Sequence, residues 1–376
     1  MSGPHVVVIG LGATGSAALC QLARRGVRAT GIEQFDIGHH RGSSHGPTRI
    51  IRLAHFENAS YVPLMRRAYA LWGELERLAG QKLLHITGIL EIGPQHGEIV
   101  TGTLAAAKQN NLQPEIFDAD ALMHRYPQFR LPPDYKAVLQ PEGGYLEAER
   151  AIAANVRIAR AAGANVRTGE KVVALEPSGA GVRVRTDRAA IEADGAIVAA
   201  GPWLRGVVPE LRLPLRVTRQ VVGWFEPSDA AEFAEGRFPV FILESRYGAH
   251  YGFPGYGNLG IKIAKHGHRD ETVTADNYDV TVSARDEAAI RSPLAEYLPA
   301  ANGRLLGAQT CLYTMTPDDT FIVDRMPGYP QIVIASPCCG HGFKFSPVIG
   351  EITADLATRG VTDHDIAPFR LQRFAP

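Results

Sequence analysis

HVVVIGLGATGSAALCQLARRGVRATGIE, residues 5–33, holds three elements in a row. Residues 6–9, after His5, form a short apolar run of the kind buried on both faces of a parallel sheet. Gly10, Gly12 and Gly15 follow at once in G-x-G-x-x-G spacing. That spacing predicts a tight turn, a place where a pyrophosphate can approach bare backbone, and close packing of the next helix on the strand. Ala13 and Thr14 open this helix, expected to run to about residue 25, with its N-terminal amides and positive dipole end facing the pyrophosphate. A second apolar run, residues 29–32, ends in Glu33, eighteen residues beyond Gly15. An acid there can accept both hydroxyls of an adenosine ribose and disfavours a 2′-phosphate. Strand, glycine turn, helix and terminal acid in register predict dinucleotide binding rather than an ordinary βα turn. The motif alone does not separate FAD from NAD.

The chain of 376 residues is 45% hydrophobic, enough for a large core and for two or more domains. Lys plus Arg equals Asp plus Glu at 39 each, so no overall field recruits nucleic acid or an acidic membrane surface. No apolar run approaches the roughly 18 residues of a membrane span, and the N-terminus leads straight into a strand. A cytoplasmic protein is the expectation. The four cysteines, Cys20, Cys311, Cys338 and Cys339, match neither a disulfide framework nor a zinc site, and no metal is expected. Cys20, on the apolar face of the first helix, reads as inert packing.

Beyond Glu33, residues 35–55 read FDIGHHRGSSHGPTRIIRLAH, too rich in Gly, Ser and His for regular structure. If its end is helical, Arg49 and Arg52 share one face while Ile50, Ile51 and Leu53 dock. The pair then forms a cationic wall for a carboxylate or a reduced flavin, since a guanidinium binds anions bidentately and keeps its charge. His45 is a candidate for proton traffic. A helix is expected over residues 61–78, a strand over 88–92, part of a helix over 105–110 and an irregular connection at FRLPPDYKAV, 129–138. An amphipathic helix over 148–162, strand-like runs over 165–176 and 181–186, and a buried strand within 189–199 resume the nucleotide-binding sheet. Gly201 lets the chain pass close to the cofactor. Residues 215–300 offer alternating strands, and in 260–263 Lys262 points to the opposite face from Ile261 and Ile263. Late strands at 321–324 and 331–335, a loop carrying Gly340, Gly342 and Lys344, and a helix over 347–359 return to the first turn. The expected fold is α/β, with a discontinuous Rossmann-like unit (1–82, 146–214, 319–376) and a mainly antiparallel-sheet substrate unit (83–145, 215–318).

In order along the chain, VVVIGLGATGSAA, GSSHGPTRIIR, YVPL, GPW, YGFP, GIKIAKH, TCLYTMTPDDTFIVD and GHGFKFSPVIGEI cover nearly its full length. With these motifs the chain resembles the monomeric sarcosine oxidase and N-methyltryptophan oxidase branch of the D-amino-acid oxidase superfamily. The resemblance implies an FAD-dependent oxidase of secondary amino acids: a hydride equivalent passes from substrate carbon to flavin N5, and oxygen is reduced to hydrogen peroxide. It implies that Cys311 carries FAD covalently, that Lys262 promotes the reaction of reduced flavin with oxygen, and that Arg49 is a cation near the flavin. By the same resemblance Arg52 and Lys344 clamp the substrate carboxylate, and His266 is an active-site histidine. Tyr251 and Tyr313 then line the substrate cavity, and the Gly340 carbonyl receives the amine hydrogen. Motif and resemblance together place cofactor contacts at Gly10, Gly12, Ala13, Thr14, Gly15, Glu33, Gln34, Ser43, Ser44, Arg49, Val172, Gly201, Trp203, Cys311, Gly340, Gly342, Phe343 and Lys344. A monomer with small-molecule partners, an amino acid and O2, follows.

This chain departs from the family pattern at Ser44-His45, at Pro47 and at Pro337-Cys338-Cys339-Gly340. These positions leave the cations and Cys311 intact and bear on substrate size and shape. Two alternatives stand beside the oxidase: a flavin dehydrogenase that passes electrons to another carrier, against which Lys262 argues, and a non-catalytic flavoprotein module.

Overall fold

The computed structural model describes residues 3–374; residues 1, 2, 375 and 376, which the sequence assigns to the nucleotide-binding unit, lie outside the described residues. The opening stretch folds into strand His5–Ile9, helix Ala13–Arg24 and strand Arg28–Ile32. The strand is buried along its whole length, as expected for one sandwiched in a parallel sheet. Gly15 sets how closely the helix sits on the turn, because a Cβ there would lie 1.8 Å from the Gly10 carbonyl oxygen. Cys20 is buried in this helix's apolar face, where burial pushes its thiol up to about 11, so it packs as an inert group.

Strand His5–Ile9 lies between Gly195–Val198 and Arg28–Ile32, with Tyr329–Ser336 and Asn165–Arg167 outside them, all parallel. Ile322–Met326 adds an antiparallel edge and completes a six-stranded sheet. Sequential strands run outward on both sides of His5–Ile9, and ligands bind at the carboxyl ends of such a switch point. The eight-stranded second sheet runs Leu305–Met315, Arg216–Phe225, Ile261–Lys265, Gly248–Phe253, Val240–Ser245, Ile89–Pro94, Tyr135–Gln140, Glu115–Asp118. It is antiparallel except where Val240–Ser245 meets Ile89–Pro94. One face of this sheet buries Phe225, Phe238, Phe241, Ile261 and Ile263 in a single core. Lys262 therefore projects to the other face, from an interior strand rather than from an edge.

The arginine segment is a correction. Thr48–Ile51 is a strand, paired antiparallel with Gly144–Glu147, and Arg52 follows its end. Pro47 blocks a helix interior, and β-branched Thr48, Ile50 and Ile51 favour the sheet. The run read over 165–176 divides into Asn165–Arg167 and Val172–Ser178, which belong to different sheets. Among the described residues no helix is long and apolar enough to cross a membrane, and no cluster of three or more His, Cys, Asp or Glu side chains is arranged to hold a metal ion.

Candidate active site

A cavity of about 490 Å³ reaches from the first glycine turn to the far face of the eight-stranded sheet. Gly10, Gly12, Ala13, Thr14, Glu33, Gln34, Ser43, Ser44, Val172, Gly201, Trp203, Gly342 and Phe343 line it. Gly15 lies behind this lining, and its close contact with the Gly10 backbone makes it a packing position of the turn. Gly12 brings no side-chain cap to helix Ala13–Arg24; the Ala13 amide donates to Ser44 Oγ at 3.3 Å, and the amides behind it are left for an anion. Glu33 is buried; one carboxylate oxygen accepts from the Leu11 amide at 2.8 Å and the other from the Phe35 amide at 3.1 Å. Each oxygen keeps a lone pair for a hydroxyl.

Further in, cations face the cavity without carboxylate partners. Arg49 donates to three backbone carbonyls, those of Thr48 at 2.9 Å, Ser43 at 3.1 Å and His45 at 2.5 Å, and pairs with no acid among the described residues. Lys262 is buried, donates to the Thr48 carbonyl at 2.7 Å, and stands 4.6 Å from the Phe253 ring centroid. Desolvation first, and then Arg49, hold its pKa well below that of an ordinary lysine. Cys311, buried on strand Leu305–Met315, shares this part of the cavity; burial raises its thiol while Arg49 and Lys262 pull the other way. His45 sets a nitrogen 2.8 Å from the Thr310 carbonyl oxygen, and burial and then Arg49 lower it to about 4, so it is a neutral imidazole near neutral pH.

At the other end Arg52 and Lys344 meet from opposite ends of the chain. Both are buried and line the cavity. Lys344 donates to the His341 carbonyl at 2.8 Å, and burial followed by Arg52 lowers it to about 7. Arg52, unlike Arg49, is already paired: Nη2 donates to both oxygens of Glu57 at 2.6 Å, and Nη1 donates to Glu91. Its Nε–H has no acceptor. Tyr251, Tyr313 and His266 line the same space. Gly340, at φ +76, admits no side chain, because a Cβ would stand 2.5 Å from Tyr313 and 2.9 Å from His266. The His266 side chain borders the cavity and is exposed in the free protein, and desolvation by the protein around it lowers its pKa.

The buried polar atoms Ser43 Oγ, His45 Nδ1 and Gln309 Oε1 line this cavity without a partner. Together with the amides left at that helix end, they suit a group that has an anionic linker and a polar-edged ring system. Residues 5–356 match the family described as DAO, FAD dependent oxidoreductase. The chain belongs to this FAD-dependent oxidoreductase family. Its cofactor is FAD, and the donor set just described fits that group. The chain is 39% identical over 375 residues to monomeric sarcosine oxidase from Bacillus sp. (strain NS-129), covering 98% of this chain and 97% of that protein. It is 36% identical over 372 residues to N-methyl-L-tryptophan oxidase from Salmonella enteritidis PT4, covering 98% and 99%. Among solved structures, NikD, an unusual amino acid oxidase essential for nikkomycin biosynthesis, superposes with a TM-score of 0.85 at 26% identity, covering 98% of each chain.

The cavity also contains residues outside the sequence motifs. Glu57, Phe56, Gln309 and Asp276 line the site, and Asp276 accepts from the Trp203 indole at 2.7 Å. Glu91 had a signal of its own, as the one charged residue in the apolar run Gly88-Ile89-Leu90-Glu91-Ile92. An acid inside a buried strand needs a cation or donors close by.

Proposed function

We propose that this chain oxidises secondary amino acids, N-methyl or cyclic, with O2 as electron acceptor. The observation that carries the proposal is one cavity holding two kinds of cation: Arg49 and Lys262 without carboxylate partners beside Cys311, and Arg52 with Lys344 beside Tyr251, Tyr313, Gly340 and His266. The names of the sarcosine and N-methyltryptophan oxidase relatives support the reading. FAD, when bound, supplies the two-electron acceptor. The first turn and its helix would hold the phosphates, Glu33 the ribose, and Cys311 a thioether to the flavin.

The protein's part is to hold and orient. Arg52 and Lys344 take the substrate carboxylate, which must displace Glu57 from the outer edge of Arg52. Tyr251, Tyr313 and Gly340 close the walls around the amine, and His266, whose pKa desolvation lowers, is placed to accept a hydrogen bond from it. Arg49 and Lys262 favour negative charge on the reduced ring and on oxygen. We take the sheet containing His5–Ile9 as the cofactor unit and the eight-stranded sheet as the substrate unit of a monomer. The test is a panel of amines scored by peroxide release, containing sarcosine, N-methyl amino acids with large side chains, pipecolate, proline and glycated amino acids. Peroxide from N-methyl or cyclic amino acids, and none from amines lacking a carboxylate, is expected. Amine-dependent reduction of a dye with no peroxide in air would make the enzyme a dehydrogenase instead.

A further inference from the structure

The two carboxylates on Arg52 are not alike. Glu57 lies on the irregular segment after Arg52, keeps 23% of its side chain exposed, and lines the cavity. Glu91 is wholly buried on strand Ile89–Pro94 and does not line the cavity. Its neighbours Leu90 and Ile92 join the core on one face of the sheet, which turns Glu91 to the other. One of its oxygens accepts from Arg52 Nη1, and the other accepts from Gln140 Nε2 at 2.6 Å. Gln140 is held in turn: its oxygen accepts from the amides of Leu53 at 3.1 Å and Ala54 at 2.8 Å, and its nitrogen donates to the Ala54 carbonyl at 3.2 Å. Gln140 thus grips both Glu91 and the backbone just beyond Arg52.

We propose that Glu91 and Gln140 are positioning residues for the carboxylate clamp: they fix the Arg52 guanidinium from behind, so that its cavity edge can exchange Glu57 for the carboxylate of an acidic substrate. The proposal rests on the reading of Arg52 as a carboxylate ligand. When Glu57 leaves, a long side chain anchored only at its outer edge would leave with it. A guanidinium held at Nη1 stays in place, and no ordering of Arg52 is then charged to substrate binding. The direction of every donor in the relay is fixed, because both Gln140 groups are already committed. Replacing the Glu91 carboxylate by an amide sets an NH2 against either the Gln140 NH2 or the Arg52 guanidinium, donor against donor.

The relay is tested on the FAD-loaded enzyme with methoxyacetate, a carboxylate without an oxidisable amine, its dissociation constant read from the flavin spectrum, and with KM and kcat for sarcosine or the best substrate of the panel. Glu91→Gln is expected to weaken methoxyacetate and raise KM about tenfold, with kcat at saturation within about threefold of the parent. Gln140→Leu, which keeps Glu91, should weaken methoxyacetate by about threefold or more and serves as the second variant should Glu91→Gln not fold. Unchanged affinity in Glu91→Gln or Gln140→Leu, or a fall in kcat with KM unmoved, would overturn the relay. Arg52→Gln separates the two levels. If it leaves methoxyacetate affinity unaltered, the clamp itself is wrong; if it weakens affinity while Glu91→Gln does not, only the relay fails.

Discussion

Lys262, Cys311 and Lys344 are all buried along one cavity, and the proposed function gives each a different task. An ammonium beside the flavin is worth most when negative charge develops on oxygen, so Lys262→Met should slow reoxidation of reduced enzyme about 100-fold or more and change anaerobic reduction by less than about threefold. Stopped-flow traces of the two half-reactions measure this, and equal losses in both would reduce Lys262 to a structural role. Cys311→Ser should leave FAD that dissociates on acid precipitation, whereas wild-type colour should stay with the polypeptide; colour released from denatured wild-type protein would end the case for a thioether. Lys344 gives a pH dependence. It sits at about 7 against an ordinary 10.5, so below that pH an incoming carboxylate meets an ammonium, and above it binding must take up a proton. Methoxyacetate should therefore weaken as pH rises from about 7, by up to about tenfold per unit. Glu57 is held well below the ordinary carboxylate range and His341 is lowered to about 4, so neither titrates in that window. The slope should flatten in Lys344→Met; a slope that persists there belongs to another group. The cations themselves were legible in the sequence because family motifs surround them. Their partners were not: Glu57 carries no motif, and the pairing of Arg52 with Glu91 depends on a strand crossing that spacing along the chain cannot reveal.

Among the elements, the turn over residues 337–342 is tightly constrained. It joins strand Tyr329–Ser336 to the helical turn Phe343–Phe345, and in it Cys339 and Gly340 both take positive φ, at 51 and 76. Cys339 is tied down by a sulfur contact of 3.3 Å to Thr316 Oγ1. Gly340→Ala should cost about 1–3 kcal/mol of stability from backbone strain alone. Because the new methyl would push on Tyr313 and His266, it should also lower kcat/KM far more than it lowers FAD content. Activity retained at the parental level in a folded Gly340→Ala enzyme would show that these walls move freely and do not shape the amine site. The first βαβ turn was legible as an element because its evidence is local: an apolar run, three glycines and a helix within 20 residues of Gly10. The arginine segment was not, since its strand Thr48–Ile51 exists through pairing with Gly144–Glu147, nearly a hundred positions away.

Across the whole molecule, the cavity draws on residues from Ile9 to Lys344 and on both large sheets, so a cofactor bound there would add to the fold's cohesion. The six-stranded sheet supplies the glycine turn and Glu33, while the eight-stranded sheet supplies Lys262, Cys311 and Tyr251. The half-buried guanidinium of Arg49 and the buried Lys262 amine stand near each other and pair with no acid among the described residues, an arrangement that costs the free protein stability and that an electron-rich ring lessens. A ligand that binds only the folded state stabilises it by RT ln(1 + [L]/Kd), about 2.7 kcal/mol at one hundred times Kd. Cys311→Ser provides the means to see this, because its FAD can be removed and restored. Calorimetry of that variant, titrated with FAD, should give one unfolding transition whose midpoint climbs with FAD concentration, since the ligand bridges both sheets. If FAD is instead gripped by the first sheet alone, two transitions should separate and only one should move. The two-transition result would mean that Lys262 and Tyr251 meet the flavin across a yielding interface, and the oxygen and amine chemistry assigned to them would then require closure of that interface in each turnover.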